Sequence, residues 1–68
     1  SILFIKNNSF KGGRILDVGC AFGIFLEKVS SFFDEVYGCD ISKFAIDKAR
    51  KKLPEADLKV VDVEKNLP

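Results

Sequence analysis

The chain is predicted to be an α/β protein, a parallel sheet built by a β-α-β-α-β succession with strand order 3-2-1. Three observations predict it. Short apolar runs recur at 15–18, 35–39 and 58–63. Two segments with a three-to-four-residue apolar rhythm separate them, as amphipathic helices require. Each run also carries an acid at or next to its C-terminal end: Asp17, Asp40 and Asp62. Right-handed crossovers lay such strands side by side.

Each element has its own justification. Residues 2–10 are apolar with interspersed polar residues and are expected to be the tail of a helix, broken by Lys11-Gly12-Gly13. Ile15-Leu16-Asp17-Val18 reads as a buried strand, since parallel strands covered on both faces are continuously apolar. Gly23 opens a helical pattern whose face is spaced Phe25, Val29, Phe32, with Leu26 and Phe33 alongside, and Asp34 ends it. Residues 35–39 are β-branched and aromatic in part, which suits a strand. Ser42 is a good N-cap for the next helix, which presents Ile46, Ala49 and Leu53 along one stripe. Lys48, Arg50, Lys51 and Lys52 crowd its last turns, where positive charge meets the negative end of the helix dipole, and Pro54 stops it. Residues 58–63 form the third strand, and 64–68 are expected to be a loop. The result is one mononucleotide-binding half of a doubly wound fold.

Bulk properties bound what such a chain does. With 68 residues it buries only about 60% of the surface its unfolded form exposes. A hydrophobic content of 47% with seven phenylalanines still marks a globular core rather than a disordered tail. The chain begins at Ser1 and stops at Leu67-Pro68 with no closing element, so residues 1–68 are expected to be the N-terminal part of a single larger domain. A net charge of +1 leaves no footprint for nucleic acid or an anionic membrane. Ile2-Leu3-Phe4-Ile5 is too short for a membrane span or a signal core, and without a targeting segment the expected location is cytoplasmic. Cys20 and Cys39 match no zinc or redox spacing, and with no histidine a Cys-His pair cannot be built. Both are expected to be small, reduced residues near strand tops.

The chemistry concentrates at the strand ends, where open α/β sheets bind ligands. Gly19 and Gly23 let the strand reverse and let backbone approach a ligand, and Ala21 keeps the floor low. Asp40 follows the bend by about twenty residues, the separation at which an acid accepts from both ribose hydroxyls. Bonds to such a charged acceptor contribute roughly 1.5–3 kcal/mol each. Asp62 suits the amino group of a base, so an adenosine fits the trio. Blander readings stand beside these. The glycines also serve a tight strand-to-helix connection, Asp40 a turn near Ser42, and Asp62 an ordinary loop. Asp17 is expected to organise the bend through backbone N–H contacts.

The stretch from Arg14 to Gly23 resembles the first motif of the class I S-adenosylmethionine-dependent methyltransferases, an acid followed by small residues at alternating positions: Asp17, Gly19, Ala21, Gly23, with Cys20 between. Alanine at the middle position is a mild departure. Tyr37-Gly38-Cys39-Asp40-Ile41-Ser42 looks like their second motif, and Val61-Asp62-Val63 like their third. The resemblance covers residues 13–68. It implies a Rossmann-like sheet and S-adenosylmethionine as cofactor, with Ile41 against the adenine and Asp62 and the backbone at Val63 on the adenine amino edge. It implies transfer of a methyl group to an acceptor of unread class. It assigns no catalytic residue here, because the elements that handle the acceptor follow the third motif, and the isolated chain is expected to be inactive. Two other functions remain. A nicotinamide-dinucleotide domain would need glycine at 21 and 24 in a G-x-G-x-x-G pattern from Gly19, where Ala21 and Ile24 stand. The other is a non-catalytic nucleoside-binding module.

Overall fold

The computed structural model of the chain describes residues 1–7 and 12–62. In chain order they form β1 (Ile2–Lys6), β2 (Arg14–Val18), α1 (Ile24–Val29), a 3-10 turn (Ser30–Phe32), β3 (Glu35–Asp40), α2 (Lys43–Lys52) and β4 (Asp57–Val60). β2 pairs parallel with β3, Ile15 opposite Val36 and Asp17 opposite Gly38. β3 pairs parallel with β4, Gly38 opposite Leu58. The three expected parallel strands are therefore present in the expected succession.

The opening segment is a correction. Residues 2–6 are a strand, not a helix tail, and run antiparallel to β2 with Phe4 opposite Leu16. Isoleucine and phenylalanine favour extended backbone, a lone helical turn is unstable, and the free edge of β2 supplies the hydrogen-bond partners. The sheet order is thus β1-β2-β3-β4, one strand more than the 3-2-1 succession. Asn8 to Lys11, Val63 and the loop expected over 64–68 lie outside the described residues. The third expected strand closes at Val60.

The first helix is shorter than its pattern suggests. It ends at Val29, where the Ser30 hydroxyl donates to the Glu27 carbonyl (3.2 Å) and the chain tightens into the 3-10 turn. Serine offers the backbone such local alternatives. The buried stripe is also rotated. Leu26 is fully buried with Val29 and Phe33 packed beside the core, whereas Phe32 is 70% exposed. Gly38 explains the choice: a Cβ there would lie 3.0 Å from Leu26 Cδ1, so the strand's missing side chain is the socket for Leu26.

α2 follows its pattern. The Ser42 hydroxyl accepts from Ala45 N–H at 3.1 Å, capping the helix. Ile46, Ala49 and Leu53 are buried together with Ile15, Leu26 and Leu58 in one core. Arg50 donates to the Leu58 carbonyl (2.9 Å) and ties the helix to β4. Both helices thus cover the sheet face that carries Ile15, Gly38 and Leu58. The opposite face presents Phe4, Leu16 and Tyr37 in register. A hollow of about 690 Å³ lies across it. Among the described residues no helix is long and apolar enough to cross a membrane.

Candidate cofactor site

The bend after β2 is held by the neighbouring strand. Gly19 N–H and Cys20 N–H both donate to the Cys39 carbonyl, at 2.8 and 2.9 Å, and Gly23 N–H closes a turn on the Cys20 carbonyl at 2.9 Å. Gly19 and Gly23 both have positive φ, +83° and +77°, yet they serve different ends. A Cβ on Gly19 would meet nothing within 4 Å, so this backbone borders open space. A Cβ on Gly23 would lie 3.1 Å from Ala49 Cβ and 3.2 Å from Leu53 Cδ1, so this glycine lets α1 start against α2. Between them Ala21 adopts φ +50°, a left-handed conformation that side chains disfavour.

Asp40 points back at this bend. Its Oδ2 accepts from Ala21 N–H at 2.9 Å and its Oδ1 from Ser42 N–H at 3.0 Å. A carboxylate oxygen has two lone-pair sites, so each oxygen retains one further acceptor position.

Asp17 is fully buried on β2. Its Oδ2 accepts from the Ser1 hydroxyl at 3.3 Å, while Oδ1 has no hydrogen-bond partner among the described residues. Burial raises its carboxyl above the ordinary value against the Ser1 hydrogen bond, and the nearby charge of Asp40 adds to the rise. The loop-organising role expected of Asp17 falls to others. The Cys39 carbonyl and the Asp40 carboxylate take the bend's N–H groups, because the Asp17 side chain turns to the helix-covered face.

The remaining residues divide. Cys20 and Cys39 are both free thiols. Cys20 is buried beneath the bend, its Sγ 3.0 Å from where a Gly38 Cβ would sit, so only its backbone borders the site. Burial, reinforced by Asp17 and Asp40, pushes its thiol up to about 11. Thiolate is the reactive form, so iodoacetamide is expected to alkylate half-buried Cys39 well before Cys20 in the folded protein. Peptide mapping of the labelled protein checks the order. Ile41 is 68% exposed beside Asp40. Asp62 is half-buried, just beyond β4. Val63 lies outside the described residues. Sequence reasoning missed Phe22 and Phe44, whose rings meet edge to face at 6.1 Å across the two loops. Lys48 Nζ lies 5.4 Å from the Phe44 ring centre. Their signal was positional, one residue in the glycine bend and one in the first turn of α2.

A bend bordering open space, two carboxylates at adjacent strand ends and an exposed apolar residue beside one of them now stand together. A family model described as a methyltransferase domain matches residues 15–68. The chain belongs to the methyltransferase-domain family. Among solved structures, a TehB-like SAM-dependent methyltransferase from Corynebacterium glutamicum superposes with a TM-score of 0.70 at 36% identity, over 78% of this chain and 29% of that one. The ubiquinone biosynthesis O-methyltransferase of Aromatoleum aromaticum is 38% identical over 55 residues, 81% of this chain and 24% of that protein. The mitochondrial ubiquinone biosynthesis O-methyltransferase of Schizosaccharomyces pombe is 39% identical over 49 residues, 72% of this chain and 18% of that protein. This methyltransferase-family chain therefore spans about a quarter or less of the length of these curated relatives.

Proposed function

We propose that residues 1–68 are the N-terminal, S-adenosylmethionine-binding part of a single methyltransferase domain, and that the whole protein methylates a small-molecule acceptor. The carrying observation is Asp17, a fully buried carboxylate with one oxygen unpartnered among the described residues, two residues before a bend that borders open space. Leaving such a group unpaired is costly. A ligand that brings positive charge to the bend offsets that cost, and S-adenosylmethionine carries both an ammonium and a sulfonium. A dinucleotide would bring its anionic pyrophosphate to the same place, against the charge of Asp17.

The residues present fit the cofactor. Gly19, Cys20 and Ala21 offer backbone along the methionine portion, with Gly23 setting the helix behind them. Asp17 takes the cationic end. Asp40 has two free acceptor positions for two vicinal hydroxyls of the ribose. Ile41 supplies an apolar face for the adenine, and Asp62 with Val63 its amino edge. When bound, the cofactor supplies a methyl group already activated on sulfur. The work left to this chain is orientation, which can be worth roughly 7–11 kcal/mol of a barrier. No residue of this chain is assigned to the acceptor. The small-molecule class follows the named relatives, and a cytoplasmic location is in keeping with the two free thiols.

Calorimetric titration of the whole protein with S-adenosylmethionine tests the reading. Saturable binding is expected, and Asp40→Ala should weaken it about tenfold or more, from loss of charged hydrogen bonds. Unchanged affinity in that variant, or binding of NADH in its place, counts against it. The 68-residue chain by itself is expected to release no S-adenosylhomocysteine with any acceptor, and measured turnover by it would overturn the division of labour.

A further inference from the structure

We propose that the Asp40 carboxylate is a strap that assembles the two loops of the site before any ligand arrives. The glycine bend and the β3–α2 turn belong to different crossovers, and nothing in their chain connection joins them. Asp40 does, with Oδ2 on Ala21 N–H at 2.9 Å and Oδ1 on Ser42 N–H at 3.0 Å. An apolar tie accompanies it, the edge-to-face contact of Phe22 with Phe44.

Ala21 shows what the strap holds. Its φ of +50° is one a side chain avoids, and the conformation is kept where its surroundings over-determine it. The neighbouring N–H groups of Gly19 and Cys20 are taken by the Cys39 carbonyl. Ala21 N–H is the donor that reaches across to a side chain. The same two bonds fix the plane of the carboxylate, so its remaining acceptor positions are oriented in advance and less side-chain freedom is lost when a ligand binds. Asp40 is in this respect a positioning residue for the bend. Its use toward ribose rests on the cofactor reading above, whereas the strap does not.

Amide hydrogen exchange on the ligand-free whole protein, read residue by residue by NMR, tests the strap. Ala21 and Ser42 are expected to be protected in the wild type. Asp40→Ala should speed exchange at both by about tenfold or more, with Leu16 in β2 unchanged as a report that the fold persists. Asp40→Asn keeps the shape but has a single acceptor oxygen, so one of the two amides should lose protection and the other keep it. Unprotected Ala21 in the wild type overturns the proposal. So does wild-type protection of both amides in either variant. Failure of the wild type to bind S-adenosylmethionine would fall on the cofactor reading alone, since exchange is measured without ligand.

Discussion

Leu26→Ala is expected to lower the unfolding free energy of the protein by about 2–5 kcal/mol, the range for deleting a fully buried leucine side chain. The upper half of that range is expected. Leu26 is the α1 side chain with no exposure at all, and it fills the socket left by Gly38. α1 is six residues long and cannot hold itself by helix propensity. Collapse into the vacated space is opposed by the sheet behind it, whose backbone is fixed on both sides of Gly38. Urea denaturation of the whole protein checks the loss as a lower midpoint with an unchanged slope. A loss below about 1 kcal/mol, at the level of a surface substitution, would mean that α1 is not packed against β3.

Asp17→Asn is expected to have opposite effects on stability and binding. In the ligand-free protein burial raises the carboxyl of Asp17 above its unfolded value. A raised carboxyl contributes its stability in full below the unfolded value, about 3.9, and that contribution is lost as pH rises through the folded value. Wherever that carboxyl is ionised, the wild type holds a buried charge with one oxygen unpartnered among the described residues. The asparagine removes the charge and keeps an acceptor for the Ser1 hydroxyl. The variant should be more stable by about 1–3 kcal/mol near neutrality, and its advantage should shrink toward acid pH. S-adenosylmethionine should bind it about tenfold more weakly, because the cationic ligand loses an opposite charge close beneath the bend. Melting curves at neutral and acid pH, with calorimetry at the former, read both arms. A ligand-free variant less stable than wild type near neutrality would show that Asp17 is fully satisfied without ligand.

The three parallel strands and α2 were legible because each carries its own periodic signal. Ile46, Ala49 and Leu53 form a clear helical stripe, and Ser42 and Pro54 bracket it. β1 was not legible. All five of its residues are exposed, so neither face imposes an alternation, and the hydrogen-bonding edge that recruits it lies twelve residues downstream on β2. The rotation of α1 was hidden for a related reason. Six apolar residues crowd 24–29 and 32–33 on more than one face, and only the gap at Gly38 selects Leu26. Within the site, the acids could be placed at the strand ends by pattern alone. Their partners could not. That Asp40 would reach Ala21 depends on a left-handed alanine, which leaves no trace in composition, and that Asp17 would be sealed depends on α1 and α2 sharing one face of the sheet.

The joining of residues 19–23 to residues 40–44 has a consequence for engineering. The two loops are a matched pair rather than interchangeable parts. Grafting a bend from a relative while leaving the second loop in place transplants an N–H donor without its acceptor and one aromatic ring without its mate. Chimaeras that cross over between positions 24 and 39 should therefore fare worse than those that exchange 15–44 as a block, even when every borrowed residue is compatible with the backbone.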